Sequence, residues 1–283
     1  MNLKKSGKLL LAIRNITDLD ISIIVPCYNH GLFLREAVRS VRKLAYINFE
    51  IIIVNDGSTD AHTILILNQL AKEGFTVYNQ NNLGLAVARN QGISISTGKY
   101  IIPLDSDNKL DPEGIEEAFF FLEQNECDIV YGRPEFFGEL DQSRYFYPQE
   151  FDIFKLLTGN YIDACAMYRR EVWETCKGYD TKMPSPGHED WEFWINSYKN
   201  KFRFKFLNRR FFYYQIRKES MITVTLASGG LNDNFNYILS KHSSVFTSNY
   251  NTLYSVYKSY NRLKIKPLRT SLKFFLIWLK IKE

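Results

Sequence analysis

The segment IIPLDSDNKLDP (residues 101–112) begins as an apolar β-forming run and then turns acidic, with Asp105 and Asp107 separated by one serine. Two carboxylates at that spacing suit two chemistries. One is a solvated turn, for which Asp, Ser and Asn are ordinary material. The other is a divalent cation. Aspartate oxygens are hard ligands, and Mg²⁺ or Mn²⁺ at a phosphate is held by one or two of them while phosphate oxygens and water complete the shell. The elements that position these acids decide which chemistry applies.

Those elements are legible as alternating strands and helices. ISIIVPCYN, from Ile21, is a short apolar run closed by a turn, as expected of a buried parallel strand; LFLREAVRSVRK then sets Leu34, Val38 and Val41 on one helical face. FEIIIVNDGSTD reads as strand and polar loop, ILILNQLAKEG as a helix capped by Gly74, and FTVYNQ as a strand. LGLAVARNQGISIS is the next helix and KYIIPLDSD the next strand. Such βαβ repetition implies a mainly parallel sheet with helices on both faces, whose ligands sit outside the carboxyl ends of the strands. Three polar clusters fall at that end: Tyr28 with Asn29, Asp56-Gly57-Ser58, and Asp105-Ser106-Asp107. After about residue 225 the alternation gives way to helical patterns rich in Tyr, Ser and Lys.

Composition narrows the class. The 283 residues are 45% hydrophobic and 24% charged, ordinary globular values that exclude a disordered or fibrous chain. The aromatic share of 15% suits sugar or base stacking as well as core packing. A net charge of +5, much of it near the C-terminus, does not describe a nucleic-acid binder. Cys27, Cys127, Cys165 and Cys176 form no CxxC pair, so neither a zinc framework nor a disulfide scaffold is expected, and a reducing cytosol is the simplest compartment. The KLLLAI run near the N-terminus is short for a signal peptide, and no apolar run reaches the ~20 residues of a membrane span. No GxGxxG follows the first strand, and GISISTGKY (residues 92–100) lacks the spacing and the Ser or Thr of a P-loop.

The ordered motifs VPCYN, VNDGSTD, NLGLAVARN, LDSDN, KGYD and GHEDWEFW, within residues 20–222, resemble the family 2 glycosyltransferases of GT-A fold. The resemblance implies a Rossmann-like mixed, mainly parallel sheet over residues 1–225 with a C-terminal helical extension over 226–283. It also implies an inverting transferase that moves a sugar from a nucleoside diphosphate, UDP being favoured, to the hydroxyl of a glycan, lipid-linked or protein-linked acceptor. Surface polysaccharide or glycoconjugate assembly is the expected setting. On the matching positions, Pro26, Tyr28 and Asn29 would line the nucleotide pocket, and Asp56 would accept a hydrogen bond from the base. Asn82, Gly84, Arg89 and Asn90 would face the ribose and diphosphate. Asp107 would ligate Mn²⁺ or Mg²⁺ directly, and Asp105 would contact the ribose or the metal through water; the cation would act as Lewis acid on the leaving diphosphate. Asp190 would be the general base, its proton affinity raised by Glu189. One departure stands out: where many relatives carry a metal-completing histidine, YQIRKESM carries Arg217, which cannot ligate a metal but can pair with a diphosphate.

Two further readings complete the set. A non-catalytic partner that only binds nucleotide sugar for another transferase is the alternative to the enzyme. The terminal KIKPLRTSLKFFLIWLKIK has Lys266, Arg269, Lys273 and Lys280 on one helical stripe beside an apolar face. It is either a membrane-interface helix, making the protein peripheral on the inner face of the cell membrane, or a docking helix.

Overall fold

The computed structural model describes residues 19–42, 44, 47–139, 145–217, 225 and 230–265. The expectations for the KLLLAI run and for the stripe from Lys266 to Lys280 lie outside the described residues. The contacts divide the chain into two compact units, residues 1–238 and 239–283, each described by itself.

The first unit is built on one eight-stranded sheet in the order β3-β2-β1-β4-β7-β6-β8-β5. β1 (Ile21–Cys27) is buried at every position, as a run of branched residues must be when both faces of the sheet are covered. It pairs in parallel with β2 (Phe49–Asp56) on one side and β4 (Tyr100–Pro103) on the other. β3 (Thr76–Gln80) extends the parallel edge. Between these strands run α1 (Gly31–Val41), α2 (Ala61–Lys72) and α3 (Leu85–Ile95). α1 buries Leu34, Val38 and Val41, the face its spacing marked. α2 starts where the Asp60 carboxylate accepts from the Thr63 amide, an N-cap that satisfies an otherwise orphaned donor. α3 lies so close to the sheet at Gly92 that a Cβ there would stand 2.4 Å from Ile24 Cγ2.

The other half is mixed. β7 (Met167–Arg169) inserts antiparallel between β4 and β6 (Ile129–Gly138). β6 pairs in parallel with β8 (Phe204–Ile216), and the two-residue β5 (Lys109–Leu110) closes the edge antiparallel to β8. α4 (Pro112–Glu123) begins with Asp111 as N-cap and proline in the first turn, a start encoded in DPEG. The short α5 (Ile153–Leu156) and α6 (Arg170–Cys176) precede α7 (Glu189–Lys199). Four parallel and three antiparallel pairings give the expected mixed, mainly parallel sheet. All four cysteines are free and buried, and burial pushes the Cys27 and Cys127 thiols up to about 11.

α8 (Gly230–Lys241) follows. Its fully buried Asn234 accepts from the Ser185 amide and donates to the Ser185 and Gly187 carbonyls. The first unit therefore runs past the 225/226 division read from the sequence. In the second unit α9 (Ser243–Ile265) is a single 23-residue helix.

Candidate active site

The chain runs outward from β1 to β3 in one direction and then returns to β4 on the other side of β1, so the topology switches between β1 and β4. Crevices at such a switch, outside the carboxyl ends of the strands, are where open α/β sheets bind ligands. The loops after β1 and β4 meet there, with His30 Nδ1 3.0 Å from Ser106 Oγ.

Arg89 of α3 is the centre of the charge arrangement. It is 1% exposed; one Nη donates to Asp105 at 2.7 Å and the other to Glu189 at 2.5 Å, and its guanidinium carbon lies 5.5 Å from the centre of the Tyr179 ring. A buried arginine holding two acids from distant segments, one after β4 and one opening α7, fixes their separation. Arg89 was expected to face ribose and diphosphate; here each terminal nitrogen makes one bond to an acid of the protein itself. Glu189 is correspondingly buried, while Asp190 beside it remains partly exposed.

Asp190 is held by two hydrogen bonds, from Asn160 Nδ2 at 3.0 Å and from the Trp191 amide at 2.7 Å. Burial, then the charges of Glu189 and Asp163, lift its proton affinity well above that of an ordinary carboxylate, against the opposing pull of Arg89. The helix that carries it is anchored by two indoles: Trp191 Nε1 donates to the Leu156 carbonyl and Trp194 Nε1 to the Ile162 carbonyl. Both tryptophans are core residues, 3% and 0% exposed. His188 precedes α7 in the left-handed region (φ 67°), makes no side-chain cap and sets its ring edge-on to Trp191 at 5.1 Å.

Asp163 is a member of the cluster that the sequence reading missed. Burial and the Asp105 charge raise it from 3.8 to about 7; its carboxylate also accepts from the Cys165 amide at 2.8 Å. One signal was available, a single acid inside the otherwise apolar run YIDACAMY. Asn160 was missed too, as was Asn234, which fixes the loop before α7.

Asp107 is bound by Arg217, with Nη2 at 2.7 Å and Nε at 3.0 Å from Oδ2. Arg217 Nη2 also lies 3.1 Å from His30 Nε2, and burial lowers the His30 pKa, favouring the neutral ring. Burial and the Asp105 charge raise the Asp107 pKa although the Arg217 ion pair pulls it down. An added positive charge would restore the ionised form.

The donor-side residues divide. Tyr28 and Asn82 are exposed. Pro26 is buried inside β1, so it is a sheet residue and not part of an open pocket. Asn29 (φ 56°) staples two loops: its side chain accepts from the Thr59 and Asp60 amides at 2.8 and 3.0 Å and donates to Thr59 Oγ1 at 3.2 Å. Asp56, 4% exposed, accepts from Gln80, the Leu83 amide and the Gly84 amide. Those bonds tie β2 to the loop entering α3 and leave about one of the roughly four carboxylate lone-pair sites. Asn90, expected toward the diphosphate, bonds instead to Trp173 Nε1 and to both backbone groups of Tyr179. Asn29 and Asn90 thus serve the scaffold.

Among the described residues no three or more His, Cys, Asp or Glu side chains converge as a ready-made ion cage. The donor chemistry nonetheless fits a cation that takes its remaining ligands from a diphosphate. Asp105 and Asp107 are hard donors grouped with Asp163, Glu189 and Asp190, and among the described residues Arg89 and Arg217 are the cations paired with this cluster.

A mixed sheet with paired aspartates at its switch point and a second acidic pair opening a facing helix defines the GT-A class of fold. The model described as Glycosyl transferase family 2 matches residues 22–176, more than half of the chain, and the chain belongs to that family. Among curated relatives it is 38% identical over 129 residues to the glycosyltransferase GlyG of Streptococcus pneumoniae, covering 45% of this chain and 43% of GlyG. It therefore spans less than half the length of that relative. Two solved structures share the fold. S. aureus TarS 1–349 in complex with UDP-GlcNAc has a TM-score of 0.59 at 19% identity, covering 81% of this chain and 73% of that one. The mannosyltransferase PcManGT of Pyrobaculum calidifontis in complex with GDP-Man and Mn²⁺ has a TM-score of 0.57 at 14% identity, covering 98% and 92%.

Proposed function

We propose that this chain is an inverting, metal-assisted glycosyltransferase that moves a sugar from a nucleoside diphosphate, UDP by preference, to an acceptor hydroxyl. The acceptor is a glycan, free or linked to lipid or protein, in surface polysaccharide or glycoconjugate assembly at the cytoplasmic face of the cell membrane. The partly exposed, hydrogen-bonded Asp190 carboxylate with its raised proton affinity carries this reading. The UDP-GlcNAc in TarS and the Mn²⁺ in PcManGT support the donor and metal classes.

In this scheme Asp190 takes the acceptor hydroxyl proton onto a carboxylate oxygen as the oxygen attacks the anomeric carbon from the side opposite the diphosphate. Lifting the proton affinity of a carboxylate makes it a stronger acceptor of that proton than an ordinary aspartate. Glu189 and Arg89 are positioning residues: the buried ion pair fixes the start of α7 and the Asp105 loop together. Asp107 and Asp105 would hold the divalent cation, which when bound supplies Lewis-acid neutralisation of the leaving diphosphate. Arg217 would move from Asp107 to the phosphate oxygens. Tyr28 and Asn82 would face the nucleotide, with the remaining Asp56 lone pair available to the base.

Asp190→Asn should lower turnover by roughly 10²–10⁴, the usual worth of a positioned base, while UDP affinity stays unchanged and the melting temperature does not fall. Calorimetry and donor turnover measured together check it. An active Asp190→Asn beside an inactive, folded Glu189→Gln would overturn the assignment. A wild-type chain that binds UDP but hydrolyses and transfers nothing would favour the nucleotide-binding partner.

A further inference from the structure

We infer that α9 is a lipid-facing element that seats the second unit on an anionic membrane surface. This concerns a different segment from the terminal stripe and stands without the transferase reading. Charge in the chain is strongly segregated. Residues 239–283 hold nine Lys or Arg and a single acid, the terminal Glu283, for a formal +8; the whole chain is +5, so residues 1–238 sum to −3.

Within α9 the segregation is complete, with Lys258, Arg262 and Lys264 and no acid at all. Val245 is buried near the start of the helix, but most of its large side chains further along are on the outside. Tyr250, Tyr254, Tyr257 and Tyr260 are between 43% and 62% exposed, with Val256 and Ile265 exposed as well. At about 100° per residue all six fall within roughly half of the helix circumference, and Ser255, Ser259 and Thr252 fall on the other half.

An aromatic helix face that the described residues leave exposed is a surface for an occupant. Tyrosine is the side chain that water–lipid boundaries favour, because its ring is apolar and its hydroxyl stays hydrated. Lys258 already lies along this surface, its ammonium 4.4 Å from the centre of the Tyr254 ring, and a lysine stem over apolar surface with its charge kept in water suits the headgroup region. Charge selects the occupant. A second copy of this helix brings three more positive charges and no acid, and residues 266–283 bring a formal +4, so either would meet α9 as a like charge. Anionic headgroups meet it with opposite charge.

Flotation of the full chain with vesicles of phosphatidylglycerol and phosphatidylcholine, against phosphatidylcholine alone, tests this. Binding is expected to the anionic vesicles only and to fall as salt rises. Lys258→Gln, Arg262→Gln and Lys264→Gln together should weaken it about a hundredfold, at about fivefold per charge. Replacing Tyr250, Tyr254, Tyr257 and Tyr260 by serine should weaken it at unchanged net charge. Circular dichroism and UDP affinity, both expected unaltered, control for folding. Vesicle binding that ignores both sets of variants would overturn the inference, since residues 266–283 alone would then account for it. So would a dimer that only the tyrosine variants dissociate, or equal, competing affinity for duplex DNA. If wild type binds vesicles but not UDP, the transferase reading fails and this one stands.

Discussion

Two polar regions flank the switch point, and they use similar residues to opposite ends. On the β1–β3 side, every side-chain polar atom of Asn29 and Asp56 serves a backbone amide or a neighbouring side chain, and about one lone pair of Asp56 is left over. Across the switch, Asp105, Asp107, Asp163, Glu189 and Asp190 share two arginines, and three of the five are driven toward their protonated forms. Position at a strand mouth is common to both regions. What separates scaffold from reactive group is whether the folded chain has already spent the lone pairs.

The sharpest way to break the comparison is Arg89→Met. It leaves Asp105 and Glu189 without their shared cation, and a folding free-energy loss of about 3–5 kcal/mol is expected in urea denaturation. A loss under about 1 kcal/mol would move Arg89 from scaffold to ligand contact.

Next is Arg217→Ala. If the guanidinium leaves Asp107 for the diphosphate, metal-free UDP affinity should fall about tenfold to a hundredfold, as for loss of a charge-assisted contact. Mn²⁺ should bind more tightly once Asp107 is released. Unchanged metal-free affinity would leave Arg217 as scaffold.

Asp163→Asn should stabilise the metal-free protein, and the pH dependence gives the sign. The carboxyl titrates at about 7 when folded against 3.8 as a free group, so ionisation penalises the native state increasingly between those values and fully above about pH 7. The shift corresponds to at most about 4 kcal/mol; partial exposure reduces it, and about 1–3 kcal/mol is expected at pH 8. No such gain should appear at pH 3. Equal melting temperatures for both proteins at pH 8 would mean that the cluster is already compensated.

The smallest expected effect is Asn29→Ala, about 1–2 kcal/mol, because its hydrogen bonds are exposed and water competes for them. A large loss of turnover with little change in stability would place Asn29 on the reactive side.

The strands and helices from Ile21 to Pro103 were legible because each is a short apolar run or a helical stripe bounded by Gly, Asn or Asp. The acids were legible because they end such runs. The antiparallel insertion of β7 was not, since a three-residue strand gives too short a pattern to carry direction. Nor was the commitment of Pro26, Arg89 and Asn90 to the interior, or that of the exposed Asn29 to its neighbouring loop. A motif fixes where a residue sits along the chain, whereas the partners that occupy Arg89 and Asn90 come from residues 105, 173, 179 and 189. Asp163 escaped for the same reason: its raised proton affinity arises first from burial and then from the charge of Asp105, and only the fold supplies either.

The strand order has a consequence in time. β1 to β3 assemble through successive short crossovers, and β4 then pairs with β1 across about eighty residues, Ile21 lying opposite Tyr100. β7 must find β4 across a chain separation of more than sixty residues, and β8 must find β6 across about seventy-five. These separations are comparable, so what orders the two halves is synthesis: the segment carrying β1 to β4 leaves the ribosome first. The nucleotide side of the crevice can therefore be in place while Asp190 is still unattached. The Arg89 bridge from Asp105 to Glu189 then becomes a late event in folding, so a chain interrupted before α7 docks would hold half a crevice and no base.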